Sequence, residues 1–268
     1  MRYRTNVHAP GERVRTLAGM PMRATTVRFS EDLWSLVEQE ASREGVSAAQ
    51  FVRDAAVMRA AYLMGRRGDT DLEQVLRLLG RDDAVEPAAT PATPESVAGA
   101  VADRARLRAL QETGLLDSPR EVRFDRHAEL ASQVLGAPVA LVSLVDEDRQ
   151  FFKSCLGLPE PWSSARQTPL SHSFCQHAVA AREPLLVDDA REHPVLRDNL
   201  AIRDLDVIAY AGIPLIDGRG HALGSLCVID NRPRQWTSNQ VRLLESIAAA
   251  VLAEIELDRA RREPAGAR

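Results

Sequence analysis

Lysine is almost missing from this sequence: of its 34 basic residues, every one but Lys153 is arginine. With so much alanine beside it, this reads as the codon usage of a GC-rich genome rather than as a functional feature. Cysteine is scarce as well. Cys155, Cys175 and Cys227 stand at scattered spacing, which fits neither a disulfide framework nor a zinc finger and points to a reducing, cytoplasmic setting. No apolar run reaches the roughly 18 residues of a spanning helix. The N-terminal arginines have no apolar stretch behind them, so neither a membrane partner nor a secretory signal is expected. There is no internal repeat and no glycine-rich phosphate loop. Without an evident catalytic constellation, enzymatic activity is not expected.

What is present is the composition of a globular protein: 268 residues, 45% apolar and 27% charged, enough for two modest domains. Charge is spread unevenly. Residues 1–28 hold six arginines against one acid, Glu12, while the chain as a whole is acidic at −4. Residues 1–23 contain turn formers without periodicity and read as a basic flexible arm. Residues 24–64 form a compact unit, and 65–80 contain a short helix, Asp69–Gly80, stopped by its glycine. The Pro/Ala-rich stretch 81–101 reads as a linker. From 102 to 262 strands alternate with helices, which marks a second domain.

The first regular element is TTVRFS at 25–30. Val27 and Phe29 share one face; Thr26, Arg28 and Ser30 share the other. Ser30 can cap a helix whose first turn carries Glu31 and Asp32, with Leu33, Leu36, Val37 and Ala41 as its apolar stripe. Ser47 can cap a second helix. A solitary strand with two helices is too small for a core of its own, and its open edge is a liability. The economical solution is a homodimer in which two copies of the strand pair antiparallel. With TTVRF, the helix entry SEDLW, REGVS and FVRDA, residues 24–63 resemble the ribbon-helix-helix family of bacterial repressors and antitoxins. That resemblance implies DNA binding, with Ala24, Thr26 and Arg28 reading bases from the ribbon and the backbone at Ser47 holding a phosphate. Against it stand the apolar Ala24 and the acidic first helix. The unit can instead serve only to dimerise the chain.

In the second domain PVALVSLVD (138–146) reads as a buried strand and QFFKSCL (150–156) as another. VIAYAGIPLI (207–216) and ALGSLCVID (222–230) flank the turn DGRG. Pro214 places its strand end at an edge or bulge. Helices are expected at 104–116, 123–135 and 173–181. Thr237 and Gln240 form a capping box for a long final helix. The fold class is α+β: a ribbon-helix-helix dimer unit joined by a linker to an antiparallel sheet covered by helices on one face. The motifs ALQETGLLDSP, VSLVDEDRQFFKS, SFCQHAV, LLVDDAREHP, YAGIPL and LGSLCVID closely resemble a GAF domain, a small-molecule sensory module of bacterial signalling proteins. The resemblance implies a ligand held between the sheet and a cap of loops. The matching positions are Phe174, Cys175, His177, Asp188, Asp189, Tyr210 and Cys227.

Several residues admit a blander role. His172, Cys175 and His177 suggest a metal site, yet residues 175 and 177 of a helix lie about 200° apart, so no metal is expected. Alternation places Cys227 with Leu223, Ser225 and Ile229, lining a pocket or filling a core. Asp188 and Asp189 fit a solvated loop or a cap; Arg166 or Arg191 can meet a nucleotide phosphate. With no kinase, cyclase or phosphodiesterase segment after residue 262, output is expected from the N-terminal unit. The leading expectation is a dimeric transcription regulator that binds DNA and senses a small molecule or redox signal. The alternatives are a signalling adaptor whose N-terminal unit only dimerises, and a thiol-based reductase.

Overall fold

The computed structural model describes residues 27–43, 46–67 and 93–262. The expected arm, the ribbon positions Ala24 and Thr26, the short helix at 69–80 and the linker as far as residue 92 lie outside the described residues. The chain divides into two compact units, Met1–Val52 and Arg53–Arg268.

At the N-terminal end stand α1 (Glu31–Arg43) and α2 (Ala48–Arg67). Ser30 Oγ accepts from the Leu33 amide at 3.3 Å, and Ser47 Oγ from the Gln50 amide at 3.2 Å, satisfying donors that a helix start leaves free. Within α1, Val37 and Ala41 are buried, whereas Leu33 and Leu36 remain 47% and 52% exposed. The segment 27–30, with exposed Arg28, carries no strand. The expected ribbon takes its ladder partner from a second copy, so its described part does not show it. A ribbon-helix-helix unit is not what the described residues display.

The second unit continues with α3 (Pro94–Val101), α4 (Arg104–Thr113) and α5 (Val122–Leu135), then β1 (Val139–Val145) and β2 (Arg149–Leu156). A short α6 (Trp162–Ala165), β3 (Gln167–Pro169) and a 3-10 turn, Leu170–His172, lead into α7 (Cys175–Ala181) and β4 (Leu185–Val187). The last elements are α8 (Leu200–Asp204), β5 (Ala209–Ile216), β6 (Ala222–Asp230) and α9 (Ser238–Arg262). The strands form one antiparallel sheet in the order β3-β2-β1-β6-β5-β4.

Local chemistry sets these boundaries. Asp103 starts α4 by accepting from the Arg106 amide at 2.7 Å, and Gly114 ends it in the left-handed region at φ 61°. Thr237 and Gln240 make the reciprocal capping box of α9: each side chain accepts from the other residue's amide, at 3.2 and 3.0 Å. Pro214 lies beyond the end of β4, where β5 has a ladder partner only on its β6 side, so no bond is lost to its missing N–H. The final eight residues of the expected linker are helical instead. Thr93 caps α3, and Val97 and Val101 are buried, which a solvated linker could not provide.

Helices α4, α5 and α9 cover one face of the sheet, packing on Ala140, Val142, Leu144, Leu226 and Val228. The opposite face is covered too. There α3, α7 and the connecting loops bury Leu141, Phe152, Tyr210, Cys227 and Ile229. A sheet covered on one face only was therefore too simple a reading. Two bulges adjust the strands. In β2, Lys153 is the extra residue between Val142–Ser154 and Ser143–Phe152. In β6, Leu223 is extra between Leu215–Gly224 and Ile216–Ala222, which turns it to the helix-covered face, away from Cys227.

Candidate functional site

Between the sheet and its second cover lies a small cavity. Its floor is formed by Leu141, Gln150, Phe152, Tyr210 and Ile229 from the strands; His172, Phe174, Cys175, Leu158, Leu205 and Val207 close it from above. The volume is about 20 Å³, room for a single water molecule. Residues two apart on a strand face the same side, which is why Gln150 and Phe152 enter together.

The polar groups around this space are arranged by mutual bonds. The Gln150 amide donates to Thr168 Oγ1 at 2.6 Å, and its Oε1 accepts from Ser173 Oγ at 2.8 Å. His172 bridges outward: Nε2 is 3.0 Å from Asp204 Oδ2 and Nδ1 is 3.0 Å from Ser171 Oγ. Trp162 packs against its ring at 5.2 Å between centroids. Arg203 and then His172 lower the Asp204 carboxyl to about 2.

A second cluster lies beneath α7. Cys175 and Cys227 place their sulfurs 3.8 Å apart. The Tyr210 hydroxyl donates to Cys175 Sγ at 3.4 Å and lies 3.2 Å from Ser225 Oγ. Gly212 makes this possible. It is opposite Cys227 in the β5–β6 ladder, and a Cβ there would stand 2.2 Å from the Tyr210 hydroxyl. The thiols do not share their proton evenly. Hydrogen bonds from Cys227, then from Tyr210 and the neighbouring serines, lower Cys175 to about 7 against the opposing effect of burial. Cys227 is raised instead, by its bond to Cys175 and by burial.

Of the residues expected to hold a ligand, Phe174, Cys175 and Tyr210 line the cavity, and Cys227 sits directly behind Cys175. His177, Asp188 and Asp189 are not among the lining residues. His177 lies on the far side of α7, where burial and the nearby His193 lower its imidazole to about 4. Burial raises the Asp188 carboxyl. Asp189 is occupied by Arg191, accepting from its amide and its guanidinium. Arg166 is turned to the carbonyls of Ser118, Phe152 and Lys153. His172, Cys175 and His177 do not converge on one point. Sequence reasoning missed Gln150 and Phe152 although strand alternation could have paired them. It had no signal for Leu158, Leu205 and Val207, which loops bring in.

The described geometry can be set beside known proteins. The family model "GAF domain" matches residues 119–255. A cyclic di-GMP phosphodiesterase of Pseudomonas aeruginosa is 36% identical over 169 residues, which is 62% of this chain and 27% of that protein. The chain thus spans about a quarter of the length of this curated relative. Among solved structures, the GAF domain of a phosphoenolpyruvate-protein phosphotransferase from Coxiella burnetii has a TM-score of 0.46 at 19% identity, covering 59% of this chain and 94% of that one. A domain of a putative two-component sensor histidine kinase from Sinorhizobium meliloti has a TM-score of 0.44 at 20% identity, covering 55% and 99%.

Two expectations are overturned here. The DNA-binding transcription regulator gives way, since the matched relative is a phosphodiesterase of a signalling nucleotide and the matched family is that of the C-terminal unit. Arg28 precedes α1 without a strand, and Ser47 serves as a helix cap. The expectation of a protein without enzymatic activity does not stand against a 36% identical phosphodiesterase either.

Proposed function

Because this chain belongs to the GAF domain family, we propose that it is a sensory signalling module, receiving a small molecule or redox signal beneath its cap and acting in cyclic di-GMP signalling. The N-terminal unit pairs two copies of the chain and does not contact DNA. One observation carries this reading: a cavity where three aromatic rings, a thiol and the Gln150 amide converge under short cap elements. Few polar groups set in an apolar lining are what a small-molecule site offers. At the present volume a ligand larger than water enters only by displacing the cap, so binding selects a second cap position.

The route for that displacement is short. Helix α7 carries Cys175 and packs on α3, and α3 is the first described element after the N-terminal helices. The relative's activity supports hydrolysis of cyclic di-GMP as the regulated reaction. Native mass spectrometry of the purified chain is expected to show a dimer retaining a small molecule, and that ligand is expected to change cyclic di-GMP hydrolysis in a reconstituted assay. Bare polypeptide mass, with no shift in melting temperature across a panel of nucleotides and metabolites, would remove the small-molecule part of this reading.

A further inference from the structure

We propose that Cys175 and Cys227 are a peroxide-responsive thiol pair that closes to an intramolecular disulfide beneath the cap. The proposal rests on the cap being the surface that receives the signal. Its geometry is specific. The sulfurs are 3.8 Å apart, whereas a disulfide needs about 2.0 Å, so closure brings the two sulfurs together by less than the width of an atom. Cys175 lines the cavity; hydrogen peroxide, somewhat larger than the one water that fits there, reaches the thiol as the cap shifts. Three lining residues, Leu158, His172 and Leu205, retain 7%, 8% and 7% exposure, so the cavity lies one layer below solvent.

The sheet itself excludes Cys155 as a partner for Cys227. Cys155 and Cys227 both face Leu141 in the ladders on either side of β1, which sets them two strand spacings, roughly 9–10 Å, apart. Bridgeable cysteines stand closer, with Cα atoms within about 7 Å. Burial also raises the Cys155 thiol, while the Tyr210 hydroxyl and the Cys227 thiol favour the thiolate at Cys175.

The chemistry balances with hydrogen peroxide as oxidant. The Cys175 thiolate attacks one peroxide oxygen and the O–O bond breaks. This gives a sulfenic acid and a hydroxide that takes up the proton Cys175 released. The Cys227 sulfur then attacks Cys175 Sγ. The S–S bond forms, the S–O bond breaks, and the departing hydroxide leaves as water with the Cys227 proton. Two thiols are oxidised by two electrons in all, and one peroxide is reduced to two waters. The bond ties α7 to β6, and α3 follows because it packs on α7.

The test uses the full, reduced chain titrated with hydrogen peroxide, alkylated and mapped by mass spectrometry without reduction. The expected product is a Cys175–Cys227 linked peptide, two hydrogens lighter than its parts, with Cys155 alkylated. The link should form before any oxidation at Cys155 is detected, since burial holds the Cys155 thiol protonated. Dithiothreitol should reverse it, and Cys155→Ser should leave it unchanged. Amide exchange in 94–101 and 175–181 should differ between the two forms. Oxidation of Cys155 first, absence of the link in excess peroxide, or a link with unaltered exchange would each overturn the proposal. The decisive mapping uses the unmutated chain, so it does not depend on a variant folding. A chain that binds no small molecule yet forms this link would separate the failure of the ligand reading from that of the thiol pair.

Discussion

Lys153 is the only lysine in the chain and is fully buried. A β-bulge turns its side chain toward the loop before α5, where Nζ donates to Ser118 Oγ at 2.6 Å, to the Pro119 carbonyl at 2.7 Å and to Glu121. All three ammonium protons are matched, and the charge lies 5.3 Å from the centre of the Phe124 ring. Burial lowers its proton affinity, and Glu121 opposes that shift. A flexible four-carbon stem ending in a compact charge fits this place; a planar guanidinium does not. Lys153→Met is therefore expected to lower unfolding free energy by about 2 kcal/mol, since three acceptors lose their donor. Lys153→Arg should destabilise as well, through overpacking. Urea denaturation at neutral pH measures both.

His177 gives a pH signature. Its folded value near 4 lies below the ordinary 6.5, so the unfolded chain binds the proton more readily. The neutral-histidine contribution is complete above pH 6.5 and declines as pH falls toward 4, by about 1.4 kcal/mol for each pH unit. His177→Gln, which cannot protonate, should show a smaller drop in urea midpoint between pH 7 and pH 5 than the unaltered chain. Equal drops would place the titration elsewhere.

Among the elements, β5 and β6 carry the chemistry through a backbone feature. Gly212 leaves the space over which Tyr210 reaches Cys175. Gly212→Ala should cost about 1–3 kcal/mol as a buried overpacking change and push the hydroxyl off the sulfur. With that donor lost, Cys175 holds its proton more tightly, so labelling by a small disulfide reagent at pH 7 should slow. Tyr210→Phe removes the hydroxyl without the clash and should slow labelling equally; unchanged rates in both would show that Tyr210 does not tune the thiol. The strands themselves were legible in the sequence because β1 is a continuous apolar run and β6 follows from its flanking turn. The α9 cap was legible too, as Thr237 and Gln240 encode both halves of one hydrogen-bonded box. The bulges were not, since one extra residue leaves no mark in composition and reverses the facing of Leu223. Nor was all of the cavity: Phe174, Cys175 and Tyr210 were expected there, but Leu158, Leu205 and Val207 come in from loops. Nor was α3, which resembles a linker by its composition and is helical because Val97 and Val101 find partners distant in sequence.

For the whole molecule, the proposed pairing of two copies turns on α1. Val27, Leu33 and Leu36 are exposed at 60%, 47% and 52%, a concentration of apolar surface that a second chain would cover. Glu31 and Asp32 stand in the first turn of the same helix. Their negative charge repels a phosphate backbone, which agrees with an N-terminal unit that dimerises without holding DNA. If α1 supplies the contact, replacing both leucines by glutamate inserts four like charges into a twofold interface while leaving the buried Val37 and Ala41 in place. Sedimentation equilibrium should then show a dimer for the unaltered chain and a monomer for Leu33→Glu with Leu36→Glu, the two proteins keeping the same helical circular dichroism. A dimer that survives both changes would place the contact on another surface, and a monomeric unaltered chain would remove the pairing altogether. Peroxide mapping in the monomeric variant should still yield the Cys175–Cys227 link, because every atom of that reaction lies within one chain.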